Sequence, residues 1–165
     1  MAKTPRTAPV ADDALRSWLA VVRAYHLCSE LLAQRLAAAG VRMAEHEILV
    51  NLLREPGQSQ QALAARCFTA KSHVSTLIGE LEARGWVRRE PDPQDGRVKR
   101  LALTAEGVRT AERSAAVQAE VVALMTDGLP ADALAQVQAA MTEVSQRLQA
   151  ALAAPRGPGH RQSPP

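Results

Sequence analysis

Aromatic residues are scarce: two Trp, one Tyr and one Phe in 165 residues. A core of stacked rings is excluded, and aliphatic side chains must do the packing. Only two cysteines occur, Cys28 and Cys67, so a disulfide framework of the secreted kind is excluded. No apolar run approaches the roughly 20 residues that a membrane span needs. Lys3 and Arg6 are not followed by the apolar stretch of a signal peptide. The expectation is a cytoplasmic protein with reduced thiols and no membrane contact. Charge of one sign is also scarce, with a net of +3. The first ten and last eleven residues hold four of the 20 bases and no acid. Net charge by itself therefore does not point to nucleic acid.

Alanine and leucine are abundant, and both favour helix. The first helix is expected from Asp12 to Ala39, with Leu15, Trp18, Val22, Tyr25, Leu32 and Leu36 on one stripe and Gly40 as its stop. At this length it exceeds what one small subunit can cover, so a partner helix is expected. A second helix, Met43 to Arg54, ends at Glu55-Pro56-Gly57. A third follows Ser59 as N-cap and runs to Arg66. A fourth covers Ala70 to Arg84, closed by Gly85. The period then changes. Trp86–Glu90 and Val98–Leu103 read as strands around the turn residues Pro91 to Gly96, which makes a β-hairpin. Thr104 caps a fifth helix to Thr126. A sixth, Ala131 to Leu152, carries the near-heptad seam Leu134, Val137, Met141, Val144, Leu148 and Leu152.

The fourth helix is the informative one. Val74, Leu77, Ile78 and Leu81 fall at i, i+3, i+4 and i+7 and must face a core. The opposite face carries Thr69, Ser72, Thr76 and Gly79, flanked by His73 and Ser75. Such a small, polar, uncharged face fits a major groove about 12 Å wide. An ordinary solvent-facing helix is the competing reading, although solvent faces usually carry more Glu and Lys. Lys71 is placed for a phosphate, and Ser59 is counted with this DNA-facing set. Between Arg84 and Arg100 lie six bases (Arg84, Arg88, Arg89, Arg97, Lys99, Arg100) against three acids (Glu90, Asp92, Asp95). This basic element suggests one anionic contact site. Arg97 at the hairpin tip can enter a narrow minor groove, held by Asp95 through a bidentate pair. Lys99 and Arg100 alternate faces, so one of them meets DNA; Lys99 is taken. Arg88 and Arg89 pose the same choice.

The chain is thus read as mainly α with a small β-hairpin wing: a winged helix-turn-helix with N- and C-terminal dimerisation helices. Residues 1–10 and 155–165 are expected to be disordered tails. Residues 11–40 form a dimerisation helix, 41–104 the DNA-binding domain, and 105–154 the linking and dimerisation helices.

Here the residues carry a resemblance. Leu63-Ala64-Ala65-Arg66, Lys71-Ser72-His73-Val74-Ser75 and Leu81-Glu82-Ala83-Arg84-Gly85-Trp86-Val87-Arg88-Arg89 resemble the helix-turn-helix of the MarR family. Asp92 to Gly107 resembles its wing, which is the most specific match in the chain. Cys67 and Phe68 depart from the family's usual turn. The resemblance implies a homodimer on a pseudo-palindromic operator in double-stranded DNA, usually a repressor. The fourth helix would enter the major groove and Arg97 the minor groove. It implies release by a small ligand, often an aromatic or phenolic acid, or by thiol oxidation.

Trp18, Val22, Tyr25, His26 and His46 are the expected effector-lining residues, with plain core or interface packing competing for each. Cys28 is the candidate redox thiol, against a small buried role. No cofactor and no metal site is expected, since the four histidines are scattered. An enzyme is not expected, because no nucleophile elbow, phosphate-cradling loop or metal motif occurs. A DNA-binding architectural protein without an effector is the remaining alternative.

Overall fold

The computed structural model describes residues 11–67, 71–92, 94, 95 and 98–154. The expected tails, Thr69 and Arg97 lie outside the described residues, as does the side chain of Lys71.

Helix α1 (Asp12–Ala38) opens with two acids at its positive end and carries Arg35 in its last turn. Gly40, at φ 74°, turns the chain in the left-handed region that an L side chain avoids. Next come α2 (Met43–Arg54), β1 (Gln58–Ser59), α3 (Gln60–Arg66) and α4 (Lys71–Ala83). They are followed by β2 (Val87–Pro91), β3 (Lys99–Leu103), α5 (Ala105–Thr126) and α6 (Ala131–Ala153). The Ser59 hydroxyl accepts from Ala62 N–H at 3.1 Å and caps α3. The Thr104 hydroxyl accepts from Gly107 N–H at 3.0 Å, caps α5, and donates to the Gly85 carbonyl at 2.6 Å.

The expected hairpin is present, and a third strand joins it. The hairpin is part of a three-stranded antiparallel sheet ordered β1-β3-β2. Gln58 stands opposite Leu101 and Ser59 opposite Arg100. Two residues are too few to show an alternating pattern, so β1 is invisible in the sequence. Tertiary pairing creates it. Gly57 N–H extends the pairing to the Leu101 carbonyl at 3.0 Å. The Gln58 amide also donates to the Asn51 and Glu55 carbonyls at 3.0 and 2.9 Å, which satisfies the frayed end of α2.

The chain divides into two compact units, one up to Met125 and one from Thr126 on. In the first, Ile48, Leu49, Leu52, Leu63, Val74, Leu77, Ile78, Leu81, Trp86, Val87 and Leu101 form one core around α4. A smaller cluster joins Leu32 and Leu36 of α1 to Val121 of α5, with Cys28 packed against it. Most of the rest of the α1 stripe is uncovered: Leu15, Trp18, Leu19 and Tyr25 are exposed, and Val22 is half-buried. In the second unit, α6 buries no residue, and Val137, Val144, Leu148 and Leu152 of its seam are exposed. Among the described residues, no helix is long and apolar enough to cross a membrane.

Candidate nucleic-acid interface

Helix α4 sorts its residues by face. Val74 and Ile78 are fully buried, Leu81 likewise, and Leu77 nearly so. Ser72, His73, Ser75 and Thr76 are all exposed. The structure therefore gathers these four on the outer side of one core-anchored helix. Hydroxyls and an imidazole there can donate to and accept from base edges and phosphates. Ser59 is half-buried, with its hydroxyl engaged in capping α3.

The basic segment behaves differently from its reading as one anionic site. Four of its six bases are held by the protein itself. Arg84 pairs with Glu45 at 3.0 Å and lies over the Trp86 ring at 3.6 Å. Arg88 pairs with Glu90 at 2.6 Å, and Arg89 with Glu82 at 3.0 Å. Arg100 pairs with Asp92 at 2.5 Å and donates to the Gly57 carbonyl at 3.1 Å. Lys99 is exposed and makes no ion pair among the described residues. Of the alternating pair on β3, both exposed, Arg100 is held by Asp92 and the Gly57 carbonyl. Spacing alone does not reveal these partners, because Glu45 and Glu82 come from other elements.

Asp92 is the residue that sequence reasoning missed. Its carboxylate accepts from the backbone N–H of Gln94 at 2.7 Å and of Asp95 at 3.3 Å, besides holding Arg100. The Gln94 N–H first, then Arg100, keep its carboxyl below the usual carboxylate range. The signal was available: an Asp opening a turn bonds its own backbone two residues on. Asp95 is exposed, and its carbonyl accepts from Val98 N–H at 2.9 Å.

Of the five expected effector residues, four lie on α1 and His46 lies on α2. Trp18, Tyr25 and His26 are exposed on α1, with Tyr25 and His26 edge to face at 5.6 Å, and Val22 is half-buried. His46 is buried in α2. Burial, then the charge of Arg54, lowers its pKa, and a hydrogen bond with Gln118 of α5 opposes this. An open recess of about 400 Å³, lined by Ala33, Ala37, Gly40, Val41, Arg42 and Met43, contains none of the five. Burial, then the negative charge of Glu47, pushes the Cys67 thiol up to about 11. A thiol raised in this way keeps its proton at neutral pH.

Residues 39–98 match a family model described as MarR family. Over 90 residues the chain is 30% identical to the transcriptional regulator HosA of Escherichia coli O111:H-, spanning 52% of this chain and 67% of that protein. The chain belongs to the MarR family. Among solved structures, Sco3205, a MarR family transcriptional regulator from Streptomyces coelicolor in complex with DNA, is similar. It has a TM-score of 0.77 and 26% identity, over 88% of this chain and 94% of that one. CouR from Rhodococcus jostii RHA1, bound to p-coumaroyl-CoA, gives a TM-score of 0.71 at 25% identity, over 84% and 95%. As a MarR-family chain, this protein is a transcriptional regulator with the winged helix-turn-helix fold.

Proposed function

We propose that this MarR-family regulator is a homodimeric, sequence-specific repressor that reads double-stranded DNA with α4 and is released by a small aromatic acid. The observation that carries the reading is the two-sided character of α4: a buried aliphatic stripe behind, and Ser72, His73, Ser75 and Thr76 in front. Thr69, Lys71, Asp95, Arg97 and Lys99 complete the proposed contacts, with Ser59 at the start of α3. Residues 41–104 then form the DNA-binding domain, flanked by the dimerisation segments 11–40 and 105–154.

Dimerisation is supported by apolar surface that a single chain leaves wet. Trp18 is 59% exposed and Leu148 60%. Apolar exposure of this kind, on each of these helices by itself, marks an interaction surface. A two-fold dimer would present two copies of α4 about one helical turn of DNA apart. The aromatic-acid effector draws on the ligand of CouR and on the aromatic side chains of α1.

The test is selection of duplexes from a random pool by the full-length protein, followed by footprinting. An inverted repeat with half-sites about one turn apart is expected, and p-coumarate or its CoA thioester should weaken the complex. A pool that shows no enrichment would sink the base-reading proposal. Enrichment with no response to aromatic acids would leave a DNA binder with a different effector or none.

A further inference from the structure

Glu45 is a fully buried carboxylate at the start of α2. Such a group is costly unless it is both paired and hydrogen-bonded. Glu45 is both. Oε2 accepts from the Arg42 backbone N–H at 2.8 Å. Oε1 accepts from Arg42 Nε at 2.9 Å, Arg42 Nη2 at 2.7 Å and Arg84 Nη1 at 3.0 Å. Arg42 also pairs with Glu80 of α4. Arg84 stacks on Trp86 and donates to the Gly40 carbonyl at 3.4 Å. Burial pushes the Glu45 carboxyl up, but the Arg42 hydrogen bonds and the charges of Arg42 and Arg84 more than offset this, and it stays ionised.

Capping α2 needs only the contact to the Arg42 backbone. The remaining bonds go to the Arg42 guanidinium, which pairs with Glu80 of α4, and to Arg84, just past the end of α4. At about 100° per residue, Ser72, Thr76 and Glu80 are successive i, i+4 neighbours on α4, drifting about 40° per step, and Arg84 follows just past its end. On the other flank, Glu82 is tied to Arg89 of β2 at 3.0 Å. The buried apolar stripe sets which face of α4 turns outward, but hydrophobic contact is non-directional and leaves the last degrees of roll to directional bonds. Hydrogen bonds are directional, and these two ties grip opposite flanks.

We infer that Glu45 is a positioning residue for base reading: through Arg42 and Arg84 it fixes the roll of α4 and so the direction in which Ser72, Ser75 and Thr76 point. The inference rests on the proposed reading of α4 as the DNA-reading helix. It joins the α1–α2 corner at Gly40 to the reading face by one charged cluster.

The experiment compares full-length wild type, Glu45→Gln and Glu80→Gln. The probes are the duplex that wild type selects from a random pool and an unselected random duplex of equal length, at one salt concentration. Glu45→Gln is expected to lose about tenfold in affinity for the selected duplex and less than about twofold for the random one. Glu80→Gln, which breaks only one tie, should shift the same ratio by about threefold. Circular dichroism establishes that each variant is folded. A folded Glu45→Gln that keeps the wild-type ratio, or loses both affinities alike, overturns the inference. Where Glu45→Gln does not fold, an unchanged ratio in Glu80→Gln overturns it. A wild type that selects no duplex brings down the functional reading and the inference together. A selecting wild type whose folded variants keep its ratio removes the inference alone.

Discussion

Gly107 and Trp86 meet so closely that a methyl group on Gly107 would lie 1.9 Å from the Trp86 carbonyl oxygen. That carbonyl is also engaged, accepting from Thr104 N–H at 3.0 Å. The first turn of α5 therefore rests directly on the start of the wing, with no room between them. Gly107→Ala should destabilise the fold by about 1–3 kcal/mol through overpacking, despite the better helix propensity of alanine. Urea denaturation would measure it, and a midpoint equal to wild type would show that the contact is slack.

Acid should weaken the protein through His46. Burial holds its folded pKa below the ordinary histidine value of 6.5. The unfolded chain then binds the proton more readily, so the contribution of His46 to stability falls as pH drops below 6.5. His46→Gln should flatten the decline in melting temperature between pH about 6.5 and about 5. Parallel curves for wild type and variant would mean that His46 is not the titrating group in that window.

The proposed dimer predicts a change of mass on charging α1. Trp18→Glu and Leu19→Glu place a carboxylate on the uncovered apolar stripe and should shift the protein towards monomer in sedimentation velocity. Both side chains are about half exposed or more in one chain, so folding itself should survive. A wild type that sediments as a monomer at working concentration removes the premise.

On DNA, Ser72→Ala and Thr76→Ala should change sequence preference more than Lys71→Ala does, since phosphate contacts carry no sequence information. Arg97→Ala should weaken operator binding by about 1–3 kcal/mol at matched salt. Equal losses on selected and random duplexes for both hydroxyl variants would place base reading elsewhere.

Arg100→Ala should loosen the wing rather than remove a DNA contact. Asp92 loses its guanidinium partner and Gly57 its donor. Faster amide exchange at Gln94 and Asp95, whose N–H groups Asp92 accepts, is the expected readout. Unchanged exchange with lowered DNA affinity would make Arg100 a contact residue after all.

Much of this was legible in the chain of residues. The helices fall within one or two residues of their expected limits because caps, glycines and a 3.6-residue apolar period are local signals. Ser59, Gly40, Gly85 and Thr104 mark the boundaries they were read to mark. The outward face of α4 follows from the same period. Three things did not follow. Strand β1 exists only because β3 arrives beside it. The basic segment is mostly neutralised by Glu45, Glu82, Glu90 and Asp92, two of which lie on other elements. His46 is buried while Trp18 and Tyr25 of α1 are exposed, a difference that their sequence positions do not show. Periodicity and capping act over a few residues and are written into the sequence directly. Which charge meets which depends on how distant segments pack, and only the folded chain decides that.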